Sequence, residues 1–188
     1  PQLNNAGFDF SSDQLFWLIA LPGLTGALMR FLYTFTVPIF GGRNWTVISA
    51  LLLILPAGGL AWAVSDPTTS FPVMLAIASL AGLGGGNFTS SMVNISFFYP
   101  QREKGKALGL NAAGGNLGTA WVQFTVPLII VSGAGLALDR AGLIFIPLCI
   151  LAAILAWRYM DNLSCAVSDS KSLMMAVQNP HTWIISVL

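Results

Sequence analysis

Trp45-Thr-Val-Ile-Ser-Ala-Leu-Leu-Leu-Ile-Leu-Pro-Ala-Gly-Gly-Leu-Ala-Trp-Ala-Val64 is a stretch of twenty residues without a charge. The hydrocarbon core of a bilayer is about 30 Å thick and takes roughly 20 apolar residues of helix to cross. The segment therefore reads as a complete membrane span, with Trp45 and Trp62 near its ends where an aromatic belt meets the headgroups. Working outward, Gln14–Phe40, Phe71–Tyr99 and Ala107–Val131 repeat the pattern, and Ala141–Trp157 spans if its mouth extends to Leu136. A further apolar run starts near His181. Charges are segregated and, Arg30 apart, fall in the gaps: Asp66 stands alone between Asn44 and Gln101, and none lies between Ala107 and Leu138. Charged residues make up 8% of the chain, against about a quarter in ordinary globular proteins. The expected fold class is an all-α membrane bundle.

The gaps also set the expected orientation. Arg43, then Arg102, Lys104 and Lys106, then Arg158 and Lys171 lie on one side. Asp9 and Asp13, then Asp66, then Asp139 and Arg140 lie on the other. Basic loops face the cytoplasm, so the protein is expected in the cell (inner) membrane as a multi-pass chain. Trp17, Trp45, Trp62, Trp157 and Trp183 are expected as interfacial anchors, and Trp121 lies inside a span. Residues 1–158 form the expected bundle and the polar stretch 159–179 a cytoplasmic linker. Residues 180–188 would begin a second bundle. The chain opens in a polar loop and ends inside an apolar run, so both ends read as cuts through a longer protein.

Much chemistry is excluded. A net charge of +1 implies no nucleic-acid surface. Cys149 and Cys165 offer no metal-binding spacing, and no cofactor is implied. His181 beside Trp183 reads as interfacial. Serines and threonines in the spans lack a histidine or aspartate neighbour, so no enzyme nucleophile emerges. The Asn-x-Ser/Thr patterns at Asn44, Asn87 and Asn94 fall in the membrane or on the cytoplasmic side and are discarded.

What remains is Arg30, ten residues before Phe40 within the first span. A guanidinium at that depth costs several kcal/mol unless it meets a cavity or a partner. A carboxylate elsewhere could pair with it; alternatively, its planar fork of donors could hold a small planar oxyanion. Phe88 lies eleven residues before Tyr99, and Asn116 nine residues after Ala107. At about 1.5 Å per residue all three stand roughly 14–16 Å from the inner surface, near the bilayer midplane. Gly82 and Gly86, like Gly114 and Gly118, are four apart, a spacing that lets helix backbones approach closely. Gly84, Gly85, Gly115, Asn87 and Asn94 join them as residues of a substrate path or of helix packing, with Asn87, Ser91 and Asn94 on one face. Pro22, Pro38, Pro56, Pro127 and Pro147 are kinks or hinges.

Gly84-Gly-Gly-Asn-Phe-Thr-Ser-Ser-Met-Val-Asn-Ile-Ser-Phe-Phe-Tyr-Pro100 closely resembles the nitrate signature of the nitrate/nitrite porters of the major facilitator superfamily. Gly26-Ala-Leu-Met-Arg30, Val37-Pro-Ile-Phe-Gly-Gly-Arg43 and Gly105-Lys-Ala-Leu-Gly-Leu-Asn-Ala-Ala-Gly-Gly-Asn-Leu-Gly118 extend the resemblance over essentially the whole chain. The resemblance implies spans two to six of a twelve-span transporter and the start of span seven. It implies that Arg30 grips the anion together with an arginine of span eight. It further implies that Phe88 stacks on the anion and that Asn116 bonds to it. Nitrate and nitrite are the implied substrates, carried by alternating access; the full-length chain is expected to work as a monomer and, with no Asp, Glu or His inside the five complete spans, to exchange nitrate for nitrite, proton symport being the alternative. Another small anion, or a channel, is the alternative. Ile39-Phe40 stands where the superfamily usually has an Asp-Arg pair, which puts the usual cytoplasmic ion-pair latch in question.

Overall fold

The computed structural model describes residues 2–131, 137–164, 175 and 178–187. Cys165, Asp169 and Lys171 lie outside these. The described residues are helical: α1 (Gln2–Asn5), α2 (Ser12–Tyr33), α3 (Thr36–Phe40), α4 (Gly42–Leu52), α5 (Ile54–Val64), α6 (Phe71–Leu80), α7 (Asn87–Phe98), α8 (Gln101–Val131), α9 (Arg140–Leu143), α10 (Phe145–Tyr159) and α11 (Pro180–Val187). Five stretches are long and apolar enough to cross a membrane: Ser12–Tyr33, Gly42–Val64, Phe71–Phe98, Gln101–Val131 and Arg140–Tyr159.

Local chemistry explains where these elements begin and end. The first span starts at Ser12 because Ser11 and Gln14 form a capping box. Gln14 N donates to Ser11 Oγ at 3.3 Å, and Ser11 N donates to Gln14 Oε1 at 2.9 Å. The run to Phe40 is not one helix. It breaks after Tyr33, because Pro38 has no N–H for the Thr34 carbonyl and its ring would collide with it. Two further breaks follow the same rule. Pro56 lies four residues after Leu52, where α4 ends, and Pro147 four residues after Leu143, where α9 ends. Pro22 and Pro127 stay inside continuous helices.

The connection between the third and fourth spans also differs from expectation. Tyr99 is extended (φ −102°, ψ 138°), the conformation favoured before proline, and α8 starts at Gln101. Arg102, Lys104 and Lys106 therefore occupy the first two turns of α8 rather than a loop. On the opposite side, Asp66 closes a turn by accepting from Thr68 Oγ1 at 2.7 Å and Thr68 N at 2.8 Å. These two donors hold its carboxyl below the usual range.

The helices associate as α10 on α4, α2 on α6, α5 on α6 and α9, and α7 on α8. Two small cores tie the ends of the bundle. One gathers Phe8, Ala63, Val64 and Met74; the other gathers Tyr33, Val37 and Trp45 against Met29, Val93 and Phe97. Trp45 corrects the sequence reading. It is buried between Tyr33, edge-on at 4.8 Å, and Phe40, stacked at 5.4 Å. It packs the protein instead of anchoring it in headgroups, whereas Trp17, Trp62 and Trp157 are exposed. Large apolar side chains such as Phe16, Ile19, Leu110, Leu117 and Phe124 cover the outside, inverting the pattern of a water-soluble domain.

Just past α10, Asn162 reaches back to the start of α4. Its Oδ1 accepts from Arg43 N at 2.9 Å and Asn44 N at 3.3 Å, capping that helix from a distant segment. Arg43 lies over the Trp157 ring, 4.8 Å from its centroid. This clasp occupies the place where an ion-pair latch was in question. It depends on Gly41, whose φ of +83° and ψ of 151° are open essentially to glycine alone. A Cβ there would also overlap the Asn162 amide. In a full-length protein, Gly41→Ala is expected to lower detergent-state stability by about 1–3 kcal/mol, the usual cost of such a backbone. Adding Asn162→Ala relieves the overlap but leaves the backbone strain and removes the cap on α4, so thermal unfolding of the double variant should show no net recovery.

Candidate functional site

The site begins with a break in the third span. Gly82-Leu-Gly-Gly-Gly86 cannot sustain an α-helix well, since each glycine loses much backbone freedom on ordering. Residues Ala81–Gly84 tighten into a 3₁₀ turn between α6 and α7. Gly85 N bonds to Gly82 O at 2.9 Å and Thr89 N to Gly86 O at 3.0 Å, both three-residue bonds. Thr89 thus turns away from the Gly85 carbonyl, which instead accepts Arg30 Nε at 3.4 Å.

Arg30 reaches that carbonyl because α2 lies directly on the turn. A Cβ on Gly85 would come 2.7 Å from Gly26 Cα, and one on Gly86 would come 2.5 Å from the Tyr33 ring. A Cβ on Gly82 would overlap Thr25, whose Oγ1 crosses to Ser79 O at 2.9 Å. These glycines work as the four-residue spacing suggests: they let two backbones approach.

Beside this contact opens a cavity of about 690 Å³. Arg30 enters from α2; Gly84, Gly85, Asn87, Phe88 and Ser91 from the third span; Asn111, Gly114, Gly115, Asn116 and Thr119 from α8. The three residues singled out by depth, Arg30, Phe88 and Asn116, therefore share one space. The ruler used for that depth was imperfect, since α8 begins six residues before Ala107 and the Arg30 helix breaks before Phe40. Among the described residues lining the cavity, Arg30 alone is charged. The others offer amides, hydroxyls and the half-exposed Phe88 ring. Among the described residues no cluster of His, Cys, Asp or Glu could hold a metal. A single cation among neutral donors, with a flat apolar wall, can hold a small anion.

The remaining candidates divide. Gly114 and Gly115 line the cavity, and the Phe88 ring lies over Gly115, 3.9 Å from where a Cβ would stand. Nothing lies within 4 Å of a Cβ at Gly114 or Gly118, so that pair joins no helices among the described residues. Asn87 lines the cavity, and its buried Oδ1 has no donor. Asn94 does not reach this cavity, although it lies on the same helix face. Seven residues place it about 10 Å along the helix from Asn87. There its amide packs where Gly42 lacks a side chain, and it lines a separate cavity with Tyr99, Tyr159 and Asp161. Sequence reading missed Asn111 and Thr119 as lining residues. The available signal was their four-residue spacing on either side of Gly115, which puts all three on one helix face.

Residues 1–172 match the Major Facilitator Superfamily. The chain is 42% identical to "Nitrate/nitrite transporter NarU" of Salmonella typhimurium and of Escherichia coli, over 99% of this chain and 44% of each relative. It is 37% identical to "Probable nitrate/nitrite antiporter NarK2" of Thermus thermophilus, over 100% of this chain and 46% of the relative. The chain thus spans about half the length of the curated relatives it matches.

The glycines on the two sides of the cavity should respond oppositely. Gly85→Ala forces α2 off the third span, and overpacking of this kind costs about 1–3 kcal/mol. Gly114→Ala projects into open space, and alanine is the better helix residue by about 0.5–1 kcal/mol. Thermal unfolding of the purified full-length protein should therefore fall for Gly85→Ala and hold or rise for Gly114→Ala.

Proposed function

The chain belongs to the Major Facilitator Superfamily, and we propose that it forms half of a carrier that moves nitrate and nitrite across the membrane by alternating access. The observation that carries this reading is the meeting of Arg30, Phe88 and Asn116 in one cavity, in a chain whose relatives are named nitrate/nitrite transporters. In this reading Arg30 supplies charge and a planar fork, Phe88 a flat wall and Asn116 a hydrogen bond. The Nε edge of Arg30 already faces the Gly85 carbonyl, so its terminal nitrogens are left for the anion. A second arginine, from the half that the longer relatives possess beyond the aligned region, would close the site from the opposite side.

Residues 1–158 then form the first bundle, 159–179 the linker, and 180–188 the start of the second bundle, with α11 beginning at Pro180. The basic ends carrying Arg43, Arg102, Lys104, Lys106 and Arg158 face the cytoplasm of the inner membrane. The full-length chain works as a monomer.

Exchange of nitrate for nitrite is favoured over proton symport. Acidic residues in the five spans lie at their ends, Asp13 and Glu103 in first turns, and no histidine is present in them. A proton-coupled carrier usually places a protonatable group within the membrane. The relative named as an antiporter supports the same reading. An unpaired cation is costly to carry through a low-dielectric interior. Bound anion offsets that cost, so the loaded carrier reorients more readily than the empty one.

Three measurements test this. In proteoliposomes of the full-length protein, Arg30→Lys should abolish most nitrate uptake while insertion survives, because lysine keeps the charge but loses the fork. Asn116→Ala should weaken nitrate affinity tenfold or more, as expected for a hydrogen bond to a charged partner worth about 1.5–3 kcal/mol. Near-normal transport by Arg30→Lys would make that residue structural. Separately, uptake should depend strongly on internal nitrite and little on an imposed proton gradient. Robust proton-driven uptake into nitrite-free vesicles would assign symport instead.

A further inference from the structure

One polar link crosses between α7 and α8 at the level of the cavity. Asn111 Nδ2 donates to Ser91 Oγ at 3.0 Å, and Ser91 Oγ donates to the Phe88 carbonyl at 2.8 Å. The serine oxygen thus accepts from one helix and donates to a turn of its own. Asn111 stands four residues before Gly115, under the Phe88 ring, and five before Asn116. The link therefore joins the backbone that carries the ring to the helix face that carries the ring's bed and the neighbouring amide.

We propose that Asn111 and Ser91 are positioning residues, which set the distance and tilt of the Phe88 wall relative to Asn116 and so tune affinity for a planar oxyanion. The proposal rests on reading this cavity as the anion site. Two physical features support it. Helices in lipid gain little from apolar burial against each other, so small residues and interhelical hydrogen bonds determine how closely they sit. Beneath the ring lies a glycine, which offers no side chain to hold it, and Phe88 is 40% exposed. The ring's orientation is thus left to its backbone, the group that Ser91 grips. A flat wall helps a flat ligand only in close contact, because a gap of about 0.5–1 Å forfeits a quarter to a half of the attraction.

The test uses purified full-length protein in proteoliposomes, with nitrate as substrate and pyramidal chlorate as competitor. Ser91→Ala and Asn111→Ala, each by itself, should raise the nitrate KM roughly three- to tenfold, as expected for losing part of a contact network. The maximal exchange rate should stay within about twofold, since the link acts on binding. Discrimination of nitrate over chlorate should shrink, because chlorate makes less use of a flat wall. Ser91→Thr keeps the hydroxyl and should restore both properties. In a Phe88→Ala background neither alanine change should add a further loss. If Phe88→Ala weakens nitrate binding while Ser91→Ala and Asn111→Ala do nothing, or while their effects add to it in full, the positioning role is overturned and the anion site stands. If Phe88→Ala itself is silent, the reading of the cavity falls and this proposal with it. A loss of maximal rate without change in KM or selectivity would mean a purely structural link.

Discussion

Gly26 and Gly85 meet backbone to backbone, and the arrangement of the cavity follows from that contact. No side chain fits on Gly85: a Cβ there would be 2.7 Å from Gly26 Cα. The approach lets Arg30, one turn further along α2, come over the interrupted segment of the third span. The interruption in turn frees the Gly85 carbonyl to accept the guanidinium. Either feature alone would fail. A regular helix at residues 81–86 would use that carbonyl internally, and a side chain at Gly85 would push the cation away.

The membrane character, and the meeting of Arg30, Phe88 and Asn116 in one cavity, were legible in the sequence because both rest on simple distances. Charge-free runs of bilayer length admit few other readings, and Arg30, Phe88 and Asn116 betray their common depth by counting. The breaks were written there too, in Pro38, Pro56 and Pro147, each four residues past the carbonyl it cannot serve. What could not be read was which neighbour a face would meet. Trp45 and Asn94 show this most clearly. A tryptophan at a span end suits both a headgroup and a pocket between Tyr33 and Phe40, and only the third dimension chooses. Asn94 shares a helix face with Asn87, yet the partner changes along the axis, from the cavity to the glycine start of α4. The basic trio Arg102, Lys104 and Lys106 was assigned to a loop because charge was used as the boundary. Helix formation is indifferent to that boundary, since arginine and lysine are good helix formers.

Electrostatically the cavity is plain. Around the Arg30 guanidinium stand neutral groups: carbonyls, amides, hydroxyls and a ring. Such a setting neither neutralises the cation nor solvates it as water does. It leaves a positive potential that a mobile anion can satisfy, which is how one residue can define a site otherwise made of weak dipoles. At the basic end of the bundle, the Asn162 amide and the Arg43–Trp157 pair secure the turn between α3 and α4 without a carboxylate. Directional bonds and a π-face take on the part that opposite charges would otherwise play.

The two walls of the cavity differ in how freely evolution can alter them. On the α2 side, Gly82, Gly85 and Gly86 are locked by direct contact, and substitution there disturbs the fold before it reshapes the cavity. On the α8 side, Gly114 projects toward open space within the cavity. A methyl or hydroxyl introduced there reshapes the chamber while leaving the scaffold untouched. The shape of the cavity is therefore most easily altered through α8, while the Gly85 seat of Arg30 resists change.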